Sequence, residues 1–318
     1  MRTTRRLYYT HLQPPVERDY NLMFKSLSPK DHLLAMSALV STGWSAYALL
    51  DTISKTLAQD YDVHQIIMTT SFVGMAFLGG WIFLAKGWRG FASKRLKWHL
   101  ARGFLIGFVA IAVVNALALI PLAEFYGIVF ISPFLVLIMT VLFLKEHVGW
   151  HRWMAVAAGF TGVIVLAGPQ FMHFGAGVIL AFLAAFLVAA STILVRKIGP
   201  GEFLPLYGFY PFFFMFLVNT PLALPNLKLP EISDIWLFAA GGPLVVLGQL
   251  AVTYAIAHVK ETAIIAPFHY IQIIWGVVLG YLIFGDIPAL TTLSGIFLIA
   301  SAGLYTIYRE YHLAHAED

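Results

Sequence analysis

Long stretches without a charged residue constrain this chain more than any other feature. Arg152 and Arg196 enclose 43 uncharged residues, and Glu202 and Lys228 enclose another 25. A bilayer core takes about 20 apolar residues per helix, because every backbone N–H and C=O must be satisfied within the helix. Charged residues make up only 11% of the chain, against about 25% in soluble domains. The sequence therefore predicts an all-α membrane protein.

Ten runs of the chain are long and apolar enough to be transmembrane helices. A polar segment, residues 1–31, precedes them and lacks the apolar core of a signal peptide, so we interpret it as a cytoplasmic tail. A second cytoplasmic tail is predicted over residues 311–318. The predicted spans are Leu33–Lys55, Val63–Ala85, Gly103–Ile120, Phe125–Leu144, Trp153–Gly168, Phe174–Val195, Phe203–Leu224, Trp236–Ala257, Thr262–Phe284 and Ile287–Tyr308.

The distribution of positive charge predicts how these spans are oriented. Cytoplasmic loops carry an excess of Lys and Arg. With the N-terminus inside and ten alternating spans, 18 of the 20 Lys and Arg residues fall on the cytoplasmic side, Arg102 among them. Only Lys55 and Lys228 fall outside. We therefore expect a multi-pass protein of the inner membrane with both termini in the cytoplasm.

The fourth and ninth spans read alike. FYGIVFISPFLVLIMTVLFLKEHVGWHRW and TAIIAPFHYIQIIWGVVLGYLIFGDIPALTTL each place an aromatic-rich helix before a lone acid, Glu146 or Asp286. The preceding stretches NALALIPLAE and TYAIAHVKET also match. Two copies of five helices would have opposite orientations, as in many secondary transporters. We predict inverted repeats over residues 32–170 and 171–310.

On these residues the chain resembles the drug/metabolite transporter superfamily, in particular its EamA-type ten-helix carriers. Further matching stretches are LLDTISK, LVRK and LSGIFLIASAGLYTIYRE. The subgroup it looks like includes carriers of S-adenosylmethionine, riboflavin and amino-acid-type metabolites. The resemblance implies a central cavity between helices 1–4 and 6–9, with helices 5 and 10 as scaffold. One departure is the stretch Met68–Ser71, where relatives often carry an Arg.

Polar side chains within the spans are the candidates for substrate contact, because they are costly in a bilayer. Amides offer both a donor and an acceptor to a polar ligand, although they also bond neighbouring helices. Asn115 and Tyr254 correspond in the repeat alignment, and helix nine holds the densest polar stripe. The predicted substrate-binding residues are Trp44, Tyr47, Asn115, Gln249, Tyr254, His269, Tyr270 and Gln272.

Two further side chains, His269 and Asp51, have two interpretations each, and two further features concern the shape and packing of the helices. His269 could carry a proton or be a packed hydrogen-bonding residue. Asp51 could be a counter-charge for a ligand, but its i, i+4 spacing favours neutralisation by Lys55. Gly276 and Gly280 form a small-xxx-small pair that permits close helix approach. Pro243, after two glycines, predicts a kink in the eighth span.

These features favour a secondary transporter of a small polar or zwitterionic metabolite that works by alternating access. An intramembrane lipid-modifying enzyme would need clustered acids or histidines near one interface, and a passive channel would need a ring of groups at a constriction. We expect no catalytic residues and no cofactor. We also expect no metal site, since the histidine pairs at His147/His151 and His312/His315 lack further ligands. The expected partners are a small-molecule substrate and the lipid bilayer, without nucleic acid, in a monomer or homodimer.

Overall fold

The computed structural model describes residues 29–144, 149–167, 175–258, 268–269, 271–298, 300–301 and 305. Within these ranges the chain is helical, and no strand occurs there. Several features of the sequence prediction lie outside the described residues. These are both tails, the acid at Glu146 with its neighbouring His147, and Tyr270 of the predicted site.

The helices follow one another with short connections. Each predicted span overlaps a helix, with most boundaries shifted by a few residues. The helices are α1 (Pro29–Leu57), α2 (Val63–Lys86), α3 (Leu96–Leu119), α4 (Leu122–Val129), α5 (Ser132–Met139), α6 (Trp150–Ala167), α7 (Ala176–Ile198), α8 (Leu206–Ala223), α9 (Ile235–His258), α10 (Ile271–Phe284) and α11 (290–298).

Six helical segments in the described part of the chain are long and apolar enough to cross a membrane. They include α2, α3, α7, α8, α9 and the segment Leu122–Phe143, which combines α4 and α5. The shorter apolar helix α10 follows the turn at residues 268–269. This composition identifies a membrane protein, because a soluble core would not need segments of 21 to 29 residues at this hydropathy.

The fourth predicted span, Phe125–Leu144, is helical but contains a local break that the sequence analysis does not predict. The chain turns at Phe130 and Ile131, and a new helix begins at Ser132. Pro133 lies in the first turn of α5, where its missing N–H costs nothing. A π-helical turn, Thr140–Leu144, ends the segment. By contrast, α9 continues through Pro243.

The packing between helices repeats itself when the two halves of the chain are exchanged. Helix α1 packs on α9 and α10, and α7 packs in the same way on α3 and on α4 with α5. Helix α2 packs on α9, as α8 packs on α3, while α2 and α8 pack on each other. This pattern leaves a space at the centre of the bundle.

Two glycine contacts bring helices of the two halves close together. A Cβ atom on Gly276 of α10 would lie 2.4 Å from the Tyr126 ring of α4. A Cβ atom on Gly242 of α9 would lie 2.2 Å from the Val73 side chain of α2. The predicted close helix approach at Gly276 is therefore confirmed, and the side chain it accommodates is an aromatic ring.

Candidate functional site

A cavity of about 190 Å³ lies at the centre of the bundle. Helices α1–α4 and α7–α10, together with the turn at residues 268–269, provide its walls. Among the described residues, α6 and α11 contribute no lining side chain, as the family resemblance implies for helices 5 and 10. Its polar and aromatic lining includes Trp44, Tyr47, Asp51, Ser54, Thr70, Arg102, Tyr126, Ser191, Thr192, Gln249, Thr253, His269 and Gln272.

A chain of hydrogen bonds crosses one wall of this cavity and links the two halves. The Tyr47 hydroxyl donates to Gln249 Oε1 at 3.1 Å, and Gln249 Nε2 donates to Thr253 Oγ1 at 2.7 Å. The Arg102 guanidinium donates to the same Thr253 oxygen at 3.3 Å and to the Tyr207 carbonyl at 2.5 Å. Arg102 is only 4% exposed, and its Nε atom has no hydrogen-bond partner.

The Asp51 carboxylate lies in another part of the lining. It is 9% exposed and accepts a hydrogen bond of 3.0 Å from the Tyr126 hydroxyl. Lys55 does not neutralise it, so that prediction is wrong. Lys55 Nζ donates instead to the carbonyls of Leu117 and Ile120, at 2.9 and 2.8 Å. The physical reason is that carbonyls at the end of α3 lack partners within their own helix.

An aromatic wall completes the cavity beside α10. The rings of Trp44 and His269 stack with centroids 3.6 Å apart, and the Phe130 ring is tilted against the His269 ring with its centroid 5.1 Å away. Gln272, one helical turn further on, interacts with the His269 ring. His269 is buried. This stack fixes the short turn at residues 268–269 against α1.

Five of the eight predicted site residues line the cavity, and two do not. The five are Trp44, Tyr47, Gln249, His269 and Gln272. Asn115 does not line it, because its amide nitrogen donates to the Ile111 carbonyl on its own helix at 2.8 Å. Tyr254 also does not line it, because its ring stacks on His258 and lines a separate apolar cavity on another face of α9. The eighth residue, Tyr270, lies outside the described residues.

Sequence reasoning missed one charged residue of the lining, Arg102, and named the other, Asp51, only as a less favoured counter-charge for a ligand. Arg102 counted as a cytoplasmic loop residue because the third span was predicted to begin at Gly103. The helix begins at Leu96, so Arg102 lies almost two turns inside it. Asp51 counted as half of a neutral pair. The signal that would have found both is an ionisable side chain within an apolar helix, which is itself a mark of function.

Polar contacts join the two halves at the end of the bundle near Arg102. The Ser93 hydroxyl, just before α3, donates to Glu202 Oε2 at 2.6 Å. The Arg95 guanidinium donates to the Lys197 carbonyl at 3.4 Å. His99, which is fully buried, places its Nε2 atom 3.6 Å from Glu202. These residues join the start of α3 to the connection between α7 and α8.

A second set of contacts joins the two halves at the opposite end of the bundle. The Tyr61 hydroxyl donates to Asp234 Oδ2 at 2.7 Å and accepts from the Glu231 backbone N–H at 2.9 Å. The Gln65 amide exchanges two hydrogen bonds with the backbone of Lys228, at 2.7 and 3.0 Å. The connection between α1 and α2 is thereby tied to the one between α8 and α9.

The family and the relatives to which this chain is similar are all transporters. Residues 33–168 match the model of the EamA-like transporter family. The chain is 29% identical to a riboflavin transporter of Rhizobium johnstonii, over 92% of this chain and 97% of the relative. It is 26% identical to an S-adenosylmethionine uptake transporter of Rickettsia felis, over 86% and 94% of the two chains.

Two further proteins are less similar to this chain in sequence. A pseudopaline exporter of Pseudomonas aeruginosa is 24% identical, over 80% of this chain and 90% of its own length. One solved crystal structure is similar in fold, with a TM-score of 0.66 at 16% identity, and the match covers 87% of this chain and 99% of that one.

Proposed function

We propose that this chain is a metabolite transporter of the drug/metabolite transporter superfamily, a secondary carrier that works by alternating access. Its cargo is a small polar or zwitterionic metabolite, and it acts in the inner membrane. The names of its relatives support this size and polarity, since they include transporters of riboflavin and S-adenosylmethionine and an exporter of pseudopaline.

The observation that carries the proposal is a central cavity whose polar lining comes from both halves of the chain. A polar molecule cannot cross hydrocarbon unless protein groups replace its lost bonds to water. Tyr47 of the first half and Gln249 of the second offer such groups, and they contact each other across the cavity wall. Polar contacts join the two halves at both ends of the bundle, as expected for a carrier whose halves move against each other.

The membrane topology is part of the same proposal. The sequence predicts ten spans with both termini and the segment Lys86–Arg102 in the cytoplasm, and we narrow that segment to Lys86–Lys97 because Arg102 lies within α3. Arg102 is buried among helices and no longer counts as a loop charge, yet the remaining Lys and Arg residues still divide strongly in favour of the cytoplasm. Reporter fusions at the C-terminus test this orientation, and an external C-terminus would contradict both the orientation and the even number of spans.

The repeated helix packing supports two inverted repeats over residues 32–170 and 171–310. Alternating access then arises when one half rocks against the other around the central cavity. In an experimental structure the segments Phe125–Trp153 and Thr262–Thr292 should superpose after inversion about an axis in the membrane plane. Two halves with the same orientation would overturn this part of the proposal.

Counterflow in proteoliposomes tests the proposed activity. Purified protein is reconstituted, the vesicles are loaded with unlabelled compound, and uptake of the labelled compound is followed. The probes are S-adenosylmethionine and riboflavin, and protein-free vesicles are the control. A carrier should show a saturable, transient overshoot with at least one probe. Linear, non-saturating uptake would indicate a channel, and uptake equal to that of empty vesicles for both would count against the proposal.

A further inference from the structure

The central cavity contains one acidic and one basic side chain, and neither has a partner of opposite charge among the described residues. We infer that Arg102 and Asp51 are the specificity-determining residues of the carrier, Arg102 for an anionic group and Asp51 for a cationic group of one zwitterionic cargo. The inference rests on the proposed transport function and names the substrate class of the same cavity.

Arg102 is a buried cation with spare hydrogen-bonding capacity. Two of its nitrogens donate to neutral oxygens, the Tyr207 carbonyl and the Thr253 hydroxyl, and Nε is buried without a partner. A guanidinium has five donors in a planar fork that suits a carboxylate or phosphate. Burying such a charge without a counter-ion is costly, so a cavity that keeps it is prepared for an anion from outside the chain.

Asp51 presents the complementary situation. Its carboxylate has one hydrogen bond, from Tyr126, whereas the nearby cation Lys55 is bound to two carbonyls of α3. A carboxylate oxygen that lines a cavity and lacks a counter-cation can accept from an ammonium or attract a sulfonium. Asp51 therefore offers the cavity an acceptor of opposite charge to Arg102.

The two charges are separated within the cavity instead of neutralising each other. No ion pair joins Asp51 and Arg102 in the described part of the chain. Tyr47 lies one helical turn from Asp51 on α1, and its hydroxyl is connected to Arg102 by hydrogen bonds through Gln249 and Thr253. A cargo with two opposite charges would satisfy both poles at once.

Matched ligands test each pole separately. S-adenosylmethionine carries a carboxylate and cationic groups. Its decarboxylated form lacks the carboxylate, and S-adenosylhomocysteine lacks the sulfonium charge. The wild-type protein should exchange S-adenosylmethionine about tenfold faster than either analogue, since a charge-assisted hydrogen bond contributes about that factor. In Arg102→Met the preference over the decarboxylated form should vanish, and in Asp51→Asn the preference over S-adenosylhomocysteine should vanish.

Controls separate a charge effect from a folding defect. Arg89→Met and Asp60→Asn remove the same charges at exposed positions outside the cavity and should leave every preference unchanged. Arg102→Lys retains the positive charge and should keep part of the preference for a carboxylate, which serves if Arg102→Met is not monodisperse after purification.

The outcomes distinguish this inference from the transport proposal. If the wild-type protein exchanges riboflavin but none of the charged compounds, the carrier stands and the charge assignment is overturned. If both preferences persist in Arg102→Met and Asp51→Asn, the two residues do not select the cargo. If no probe is exchanged at all, the proposed function itself fails. Loss of both preferences, each in its own variant, supports the assignment.

Discussion

At the scale of single residues, the face of the helix on which a polar side chain lies decides what it can contact. Asn115 and Gln272 are both amides inside apolar helices, and their sequence context does not separate them. Gln272 lines the central cavity, whereas Asn115 donates to the carbonyl four residues earlier in its own helix. An amide that is satisfied within its own helix has little to offer a ligand.

These two residues make a matched pair for mutagenesis. Gln272→Ala should lower counterflow several-fold at unchanged protein amount, because the cargo loses a hydrogen-bonding group. Asn115→Ala should leave counterflow within about twofold of the wild type, since it removes only an intrahelical bond of about 1 kcal/mol. Rates are normalised to reconstituted protein. Equal losses in both variants would show that the cavity lining does not predict transport.

At the scale of helices, the junction between α4 and α10 depends on one small residue. Tyr126 packs against Gly276, and the same tyrosine donates its hydroxyl proton to Asp51. Gly276 therefore leaves room for the Tyr126 ring, and the hydroxyl of that ring positions the Asp51 carboxylate in the cavity. Tyr47 packs in a similar way on Gly248 of α9, where a Cβ atom on the glycine would lie 3.1 Å from the ring.

Adding one methyl group at this junction should be costly. Gly276→Ala places a Cβ atom 2.4 Å from the Tyr126 ring, and such overpacking costs about 1–3 kcal/mol. We expect a lower melting temperature in detergent. Gly80→Ala is the control, because nothing lies within 4 Å of that position.

A double-mutant cycle identifies the cause of the loss. In a Tyr126→Ala background the ring is absent, so Gly276→Ala should have little further effect on melting temperature. An equal loss in both backgrounds would mean that the contact with Tyr126 is not the reason for the glycine.

At the scale of the whole molecule, the two halves are tied together at both ends of the bundle. Ser93 contacts Glu202 at one end, and Tyr61 contacts Asp234 at the other. Each contact joins a loop of the first half to a loop of the second. Alternating access requires that one of these sets opens while the other stays closed.

Locking one end should therefore stop transport. The chain has no native cysteine, so engineered thiols have no background. Ser93→Cys with Glu202→Cys, joined by a short disulfide-forming bifunctional reagent, should reduce counterflow to the level of empty vesicles, and a reducing agent should restore it. Each single cysteine variant, treated identically, is the control. Full counterflow with the crosslink complete would contradict rocking of the halves at this end.

The sequence by itself determined that the chain lies in a lipid bilayer, which segments of it are helices, and which class of protein it resembles. These properties are local, because a segment of about 20 apolar residues must form a helix in a bilayer whatever surrounds it. Each predicted span accordingly overlaps a helix, although α3 begins at Leu96 and not at the predicted Gly103. The resemblance to EamA-type carriers agrees with the relatives found over most of the chain. The break at Phe130 and Ile131 escaped prediction, because an apolar run alone does not show where a helix is interrupted.

Only the tertiary structure decided which side chains meet at the centre. The rotation of each helix about its axis depends on packing with helices far away in the sequence, and composition contains no record of it. Packing turned Arg102 and Asp51 into the cavity, Asn115 onto its own backbone and Tyr254 towards a different surface. It also directed Lys55 to the carbonyls of α3. A polar group in an apolar helix is stabilised by a hydrogen-bond partner. The three-dimensional arrangement determines which partner it finds, or that it finds none within the described residues, as at Arg102 Nε.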